Sequence, residues 1–280
     1  MSAQLEPLRR QLAPRLYPSR RSEEGGPVVF GSGKGGTGTS TLAGLLAVGV
    51  AAAGSRVLLV DGSVGLGSLH LYLGVEAGMG WEALKNGASV EDLLVKVTDK
   101  LTLLPGGTAE DAGAAGVSPA ERQALFRRIS SVYPAYDLVV IDGGSRLDSV
   151  LAACAPGVGR LVAVSTPDRV SLAATYALVK VLDGKLPGLP VSVLINRGEE
   201  NAAESLRGAA LRFLSRSLDS VGAVPDDECL RAGVNAGMDI QDAAVDSPAA
   251  AAILEAGTRF VRDLRPGLAT GESLLLTRRS

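Results

Sequence analysis

The sequence predicts a doubly wound α/β fold, one mostly parallel sheet with helices on both faces. Three observations carry that expectation. Short, almost wholly apolar runs recur along the 280-residue chain, and helical patterns separate most of them. Strands of that kind are buried on both sides, as in parallel sheets. A glycine-rich turn, Gly31 to Thr41, joins the first such run directly to a helix. The composition, 46% apolar and 21% charged with few aromatics, suits Ala-, Leu- and Val-rich helices lying close on a sheet.

The elements follow in order. Residues 1–26 are rich in Arg and Pro and end in Ser22-Glu23-Glu24-Gly25-Gly26, an arm and linker with helical character around Leu5 to Leu12. The domain proper is expected over 27–264. Its strands are expected at Val28–Gly31, Arg56–Val60, Leu101–Leu104, Asp137–Ile141, Arg160–Ser165, Val191–Ile195 and Ser220–Val224. The apolar stretch Leu42 to Ala53 is broken by Gly44 and Gly49 and is too short to span a bilayer, so it reads as the helix behind the glycine-rich turn. Further helices are expected over Pro119–Val132, Ser171–Leu182, Ala202–Ser217 and Pro248–Leu264, and 265–280 form a tail. In such a fold ligands bind at the carboxyl ends of the strands.

Composition excludes several functions. A net charge of −2 provides no global basic field for nucleic acid or acidic lipid. Two distant cysteines, Cys154 and Cys229, have neither disulfide-framework nor zinc-site spacing. With no apolar signal region visible among the first residues, the cytoplasm is the expected compartment.

The turn Gly31–Thr41 reads GSGKGGTGTST. A Walker A loop requires Gly, four residues, Gly, Lys and then Ser or Thr. Gly33, Gly38 and Ser40 fit, but Thr39 stands where the lysine belongs. Glycines still let backbone N–H groups turn inward, and the helix N-terminus adds partial positive charge. What is missing is the ammonium that reaches the β- and γ-phosphates. Candidate nucleotide ligands are therefore Gly33, Lys34, Gly35, Gly36, Thr37, Gly38, Thr39, Ser40 and Thr41. Two expected strands are each followed at once by an acid, Asp61 and Asp142; with Ser40 these form the candidate Mg²⁺ set.

Together these segments resemble the MinD/ParA family of deviant Walker P-loop ATPases over residues 27 to about 264. The resemblance implies ATP or ADP with Mg²⁺ as ligands and a nucleotide-sandwiched homodimer, in which Lys34, the lysine of the Lys-Gly-Gly sequence, reaches the partner's phosphates. Asp61 matches the first acid of the family's Asp-x-Asp, whereas the second, which positions the attacking water, is Ser63 here. His70, where a further Asp is usual, reads as structural. Asp142 matches the Walker B acid, and Val164–Ser171 resembles the strand, loop and helix that follow it. Asn196 falls where the family reads adenine, and Pro225 and Asp226 where the chain lines the other edge of the base.

Within the family the likeness is to FlhG-type regulators of flagellar number and placement. These carry a short N-terminal Asp-Gln-Ala-x-x-Leu-Arg motif that contacts a flagellar GTPase, and Gln4, Leu8 and Arg9 retain part of it. A flagellar GTPase or polar-localisation factor is thus the implied partner. The three Leu and two Arg of Gly271–Arg279 provide at most a peripheral membrane contact. With Thr39 and Ser63 at two key positions, the expected activity is a degenerate switch with weak or no hydrolysis. The alternatives are an active positioning ATPase in which Lys34 compensates for Thr39, and a scaffold used only for protein contacts.

Overall fold

The computed structural model describes residues 26–62, 67–107, 117–154 and 157–264. The chain runs β1 (Val28–Gly31), α1 (Thr39–Ala52), β2 (Val57–Asp61), α2 (Leu69–Tyr72), β3 (Val95–Lys96), β4 (Leu101–Leu104), α3 (Pro119–Ile129), β5 (Leu138–Asp142) and α4 (Leu147–Cys154). It continues with β6 (Arg160–Ser165), α5 (Arg169–Lys185), β7 (Val191–Asn196), α6 (Ala203–Leu214), β8 (Asp219–Val224), α7 (Glu228–Asn235), α8 (Ile240–Ala243) and α9 (Pro248–Leu264).

The strands form one eight-stranded sheet in the order β3-β4-β2-β5-β1-β6-β7-β8. Every described pairing is parallel except that of the short edge strand β3 with β4. Alternate residues of one strand feed opposite faces, as the two-residue period demands. Val29 packs into a layer with Trp81, Phe126, Val150 and Leu178. Val28 and Phe30 pack on the other side with α1, Ile240 and Ile253. Both faces are buried, which is why the central strands lack polar alternation.

Helix α1 is apolar all round because it lies between the sheet and α9, with eleven of its residues buried. Gly44 and Gly49 make that sandwich possible. A Cβ at Gly44 would press on Ile240, and one at Gly49 would occupy the space of the Leu254 side chain. At these two sites close packing outweighs the roughly 1 kcal/mol that glycine costs a helix interior.

The expected strands are all present, displaced by at most a residue at their ends, so that Asp61, Asp142 and Asn196 each close a strand. The helix expected over 119–132 stops at Ile129 and tightens into a 3-10 helix, Ser130–Ala135. Ser130 and Ser131 donate to the carbonyls of Arg127 and Arg128, and Pro134 prevents continuation. At its start the same helix has a complete capping box, Ser118 with Glu121. Strand β3 and helices α2, α4, α7 and α8 are additions to the expected list. No helix of the described residues is long and apolar enough to cross a membrane.

Candidate nucleotide-binding site

The turn after β1 crosses the carboxyl edge of the sheet and is braced on several sides. Ser32 N–H donates to the Gly144 carbonyl at 3.0 Å, and the Ser32 hydroxyl donates to the Lys34 carbonyl at 2.9 Å. Gly33 lies so close to α5 that a Cβ would collide with the Ala174 carbonyl. Gly38 caps α1 with φ 85°, the left-handed region that favours glycine. A Cβ there would also run into the Asn196 amide. The Asn196 Nδ2 donates to the Thr37 carbonyl at 2.7 Å, and Arg197 donates to the Gly36 carbonyl at 2.6 Å. Asn196 at the end of β7 and the following Arg197 thus fix two of the loop's carbonyls.

Thr39 lines the cavity beside the loop but brings no ammonium to it. It is buried, and its hydroxyl meets that of Thr37 at 2.9 Å. Lys34 points elsewhere, its ammonium 3.9 Å from Asp168 with both side chains about half exposed. Asp168 caps α5; the Thr166 hydroxyl and then the Ser171 N–H hold its carboxyl below the usual range. In its own chain, therefore, Lys34 does not replace the cation missing at position 39.

Asp61 and Asp142 end neighbouring parallel strands as direct register partners, and each is 1% exposed. The Asp61 carboxylate accepts from Leu69 N–H at 3.1 Å, and its carbonyl accepts from the Trp81 indole at 2.6 Å. Burial, and then the nearby charge of Asp61, push Asp142 up to about 7, against hydrogen bonds from the Ser40 hydroxyl and Gly144 N–H. Asp142 Oδ2 is buried with no hydrogen-bond partner. An orphaned carboxylate oxygen beside a second buried acid and a hydroxyl is a donor set suited to Mg²⁺, which takes hard oxygen ligands. Ser40, Asp61 and Asp142 thus fit the ion, although among the described residues no group of three or more His, Cys, Asp or Glu forms a metal cluster.

A cavity of about 490 Å³ opens beside this assembly, and Gly36, Ser40, Asn196, Pro225 and Asp226 line it. A Cβ at Gly36 would meet nothing within 4 Å. Asp226 pairs with Arg231 at 2.8 Å. Asp227 caps α7; burial pushes its carboxyl up, but Leu230 N–H, Ser247 and Ala249 N–H hold it below the usual range. The structure thus gathers Gly36 to Thr41, Asn196, Pro225 and Asp226 at one cavity. Ser63 and the arm residues Gln4, Leu8 and Arg9 lie outside the described residues. Sequence reasoning missed Arg146, Arg197 and Arg231, which line the same cavity. The only sequence signal for Arg197 was its place beside Asn196.

A family model described as cellulose biosynthesis protein BcsQ matches residues 28–254. The chain belongs to that family, a branch of the MinD/ParA P-loop ATPases. Among curated relatives, the antiactivator FleN of Pseudomonas aeruginosa is 26% identical over 218 residues, 74% of this chain and 76% of FleN. The flagellum site-determining protein YlxH of Helicobacter pylori is 28% identical over 155 residues, 55% of this chain and 52% of YlxH. The septum site-determining protein MinD of Pyrococcus horikoshii, solved with Mg-ADP, superposes with a TM-score of 0.70 at 22% identity, covering 88% of this chain and 99% of that one. That last likeness bears on the fold alone. The doubly wound P-loop architecture of the family is therefore the architecture of this chain.

Proposed function

We propose that this protein is a nucleotide-binding regulator of spatial organisation, similar to FlhG-type flagellar placement or number regulators, that binds ATP or ADP with Mg²⁺ and hydrolyses it weakly or not at all. The carrying observation is the split between a well-built site and a missing cation. The loop, its left-handed Gly38, Ser40 and the buried acid pair support Mg-nucleotide binding, while Thr39 bonds Thr37 instead of presenting an ammonium.

In this reading the phosphates rest on the N–H groups of Gly33 to Thr41, and Asn196, Pro225 and Asp226 surround the base. Ser40, Asp61 and Asp142 hold Mg²⁺, which when bound neutralises charge on the β- and γ-phosphates. Loss of one charge-assisted hydrogen bond costs about 1.5–3 kcal/mol, enough to weaken nucleotide binding roughly tenfold to a hundredfold. Ser63, where the family has an acid, leaves the attacking water without its usual partner. Two losses in one site, one on binding and one on chemistry, support a switch whose output is conformation and association rather than turnover.

The flagellar direction is supported by the likeness to FleN and YlxH and by Gln4, Leu8 and Arg9. A homodimer closing over nucleotide, with Lys34 at its face, belongs to the same reading. Isothermal titration of ATP and ADP with Mg²⁺, run beside steady-state phosphate release, tests it. The expected outcome is measurable binding with turnover at background. Robust hydrolysis abolished by Asp142→Ala would mean an active positioning ATPase, and no binding of either nucleotide would mean a protein-interaction scaffold.

A further inference from the structure

Three arginines line the cavity, and their partners differ. Arg231 is paired with Asp226 at 2.8 Å. Arg197 is held on the Gly36 carbonyl at 2.6 Å. Arg146 follows the β5 turn, and that turn lies directly against the glycine-rich loop. The Gly144 carbonyl holds Ser32 N–H, and a Cβ at Gly35 would stand 3.6 Å from the Ser145 hydroxyl. Arg146 therefore reaches the cavity from the turn that abuts the loop.

Its tether is loose. The Arg146 Nε and Nη2 reach Asp148 only at 3.3 and 3.4 Å, and the side chain is 65% exposed. Asp148 has other partners as well. Arg122, 3% exposed, donates to the same carboxylate at 3.2 Å, and Ser149 N–H donates to it at 3.0 Å. Arg122 is itself anchored on the Val117 carbonyl at 2.9 Å. Arg146 can leave Asp148 without stranding a buried charge, the condition for a cation that exchanges one anion for another. The neighbouring Ser149 lines the same cavity with a buried hydroxyl that has no hydrogen-bond partner.

We infer that Arg146 is the phosphate-contacting cation of this cavity, replacing the ammonium absent at Thr39, and that the Asp148–Arg122 pair positions it for that exchange. The inference rests on the nucleotide reading above. A guanidinium suits the task because its forked donors match phosphate oxygens and it is always charged.

The test is calorimetric titration of Mg-ATP, Mg-ADP and adenosine into the full-length protein, its Arg146→Gln and Arg146→Lys variants, and Arg259→Gln as a distant charge-matched control. Arg146→Gln should weaken ATP and ADP roughly tenfold to a hundredfold, leave adenosine unchanged and flatten the salt dependence of ATP binding. Arg146→Lys should recover part of the loss, and Arg259→Gln should match wild type. ATP and ADP binding unchanged in Arg146→Gln, or weakened equally for adenosine, would overturn the role of Arg146 while leaving nucleotide binding intact. No binding of ATP or ADP by the wild-type protein would instead overturn the nucleotide reading, and this inference with it.

Discussion

Asp61 and Asp142 face each other across β2 and β5 as register partners, both buried, and one oxygen of Asp142 has no partner. Without a cation this arrangement is electrostatically costly. Burial and the Asp61 charge raise Asp142 from the ordinary 3.8 to about 7. A raised carboxylate means that the folded protein keeps a proton which the unfolded chain has already released. Stability from this group is therefore present at low pH and is lost as pH rises from about 4 to about 7. Asp142→Asn removes the dependence. In metal-free urea unfolding the variant's advantage over wild type should grow across that window, by at most about 1.4 kcal/mol per pH unit, and then level off. A constant difference between the two proteins from about pH 5 to about pH 8 would contradict the assignment. Mg²⁺ should erase the advantage, since it stabilises only the carboxylate form.

The second coupling joins the loop to the far side of the sheet. Asn196 holds the Thr37 carbonyl, and Gly38 has no room for a Cβ beside that amide. Gly38→Ala should destabilise the protein through its positive φ, about 1–2 kcal/mol, and through the clash with Asn196. Asn196→Ala alone should cost about 0.5–1.5 kcal/mol from the lost hydrogen bond. The double variant should be more stable than the sum of the single effects, because the clash disappears while the φ strain stays. Simple additivity in a double-mutant cycle would show that the two residues do not act on one another.

Much of this organisation was legible in the sequence, for reasons visible in particular residues. Val29, Leu58 and Val140 belong to runs buried on both faces, so apolar content alone marked their strands. Asp61 and Asp142 were legible because each follows such a run at the carboxyl end. What escaped depends on contacts between distant segments. The Trp81 indole reaches the Asp61 carbonyl across 20 residues, and Asn196 reaches Thr37 across 159. Strand β3, two residues long, leaves no periodicity to detect. Helix α4 has only eight residues and follows Gly143-Gly144-Ser145, which reads as a loop. The place of Arg146 is set by Asp148 and a buried Arg122 on another helix, and no local pattern encodes that.

The arm carries five arginines against the single acid Glu6 in residues 1–22. Leu5, Leu8 and Leu12 have helical spacing, so a partner with an apolar groove flanked by acids would suit it. Ordering such a segment on binding costs entropy, and affinity should be modest and salt-sensitive. Purified flagellar GTPase should be retained by immobilised full-length protein and lost when residues 1–24 are removed. Equal retention by both forms would place the contact on the nucleotide-site face instead.

In the proposed function, turnover is limited by two residues acting on different steps. Thr39 directs its hydroxyl to Thr37 and brings no charge to the phosphates, while Ser63 provides no carboxylate to orient water. Thr39→Lys alone should tighten ATP binding with little gain in rate, because a water-positioning group is still missing. Ser63→Asp alone should leave affinity near wild type, since it acts on the chemical step. The double variant should hydrolyse measurably above both single variants, the gain over Thr39→Lys lying in kcat rather than in KM, provided that Asp142 and Ser40 remain. Adding Asp142→Ala to the double variant should return hydrolysis to background, because the metal loses its buried carboxylate. If the double variant is as slow as wild type yet binds ATP tightly, the defect lies outside positions 39 and 63, and the water must be excluded or misplaced by another part of the cavity.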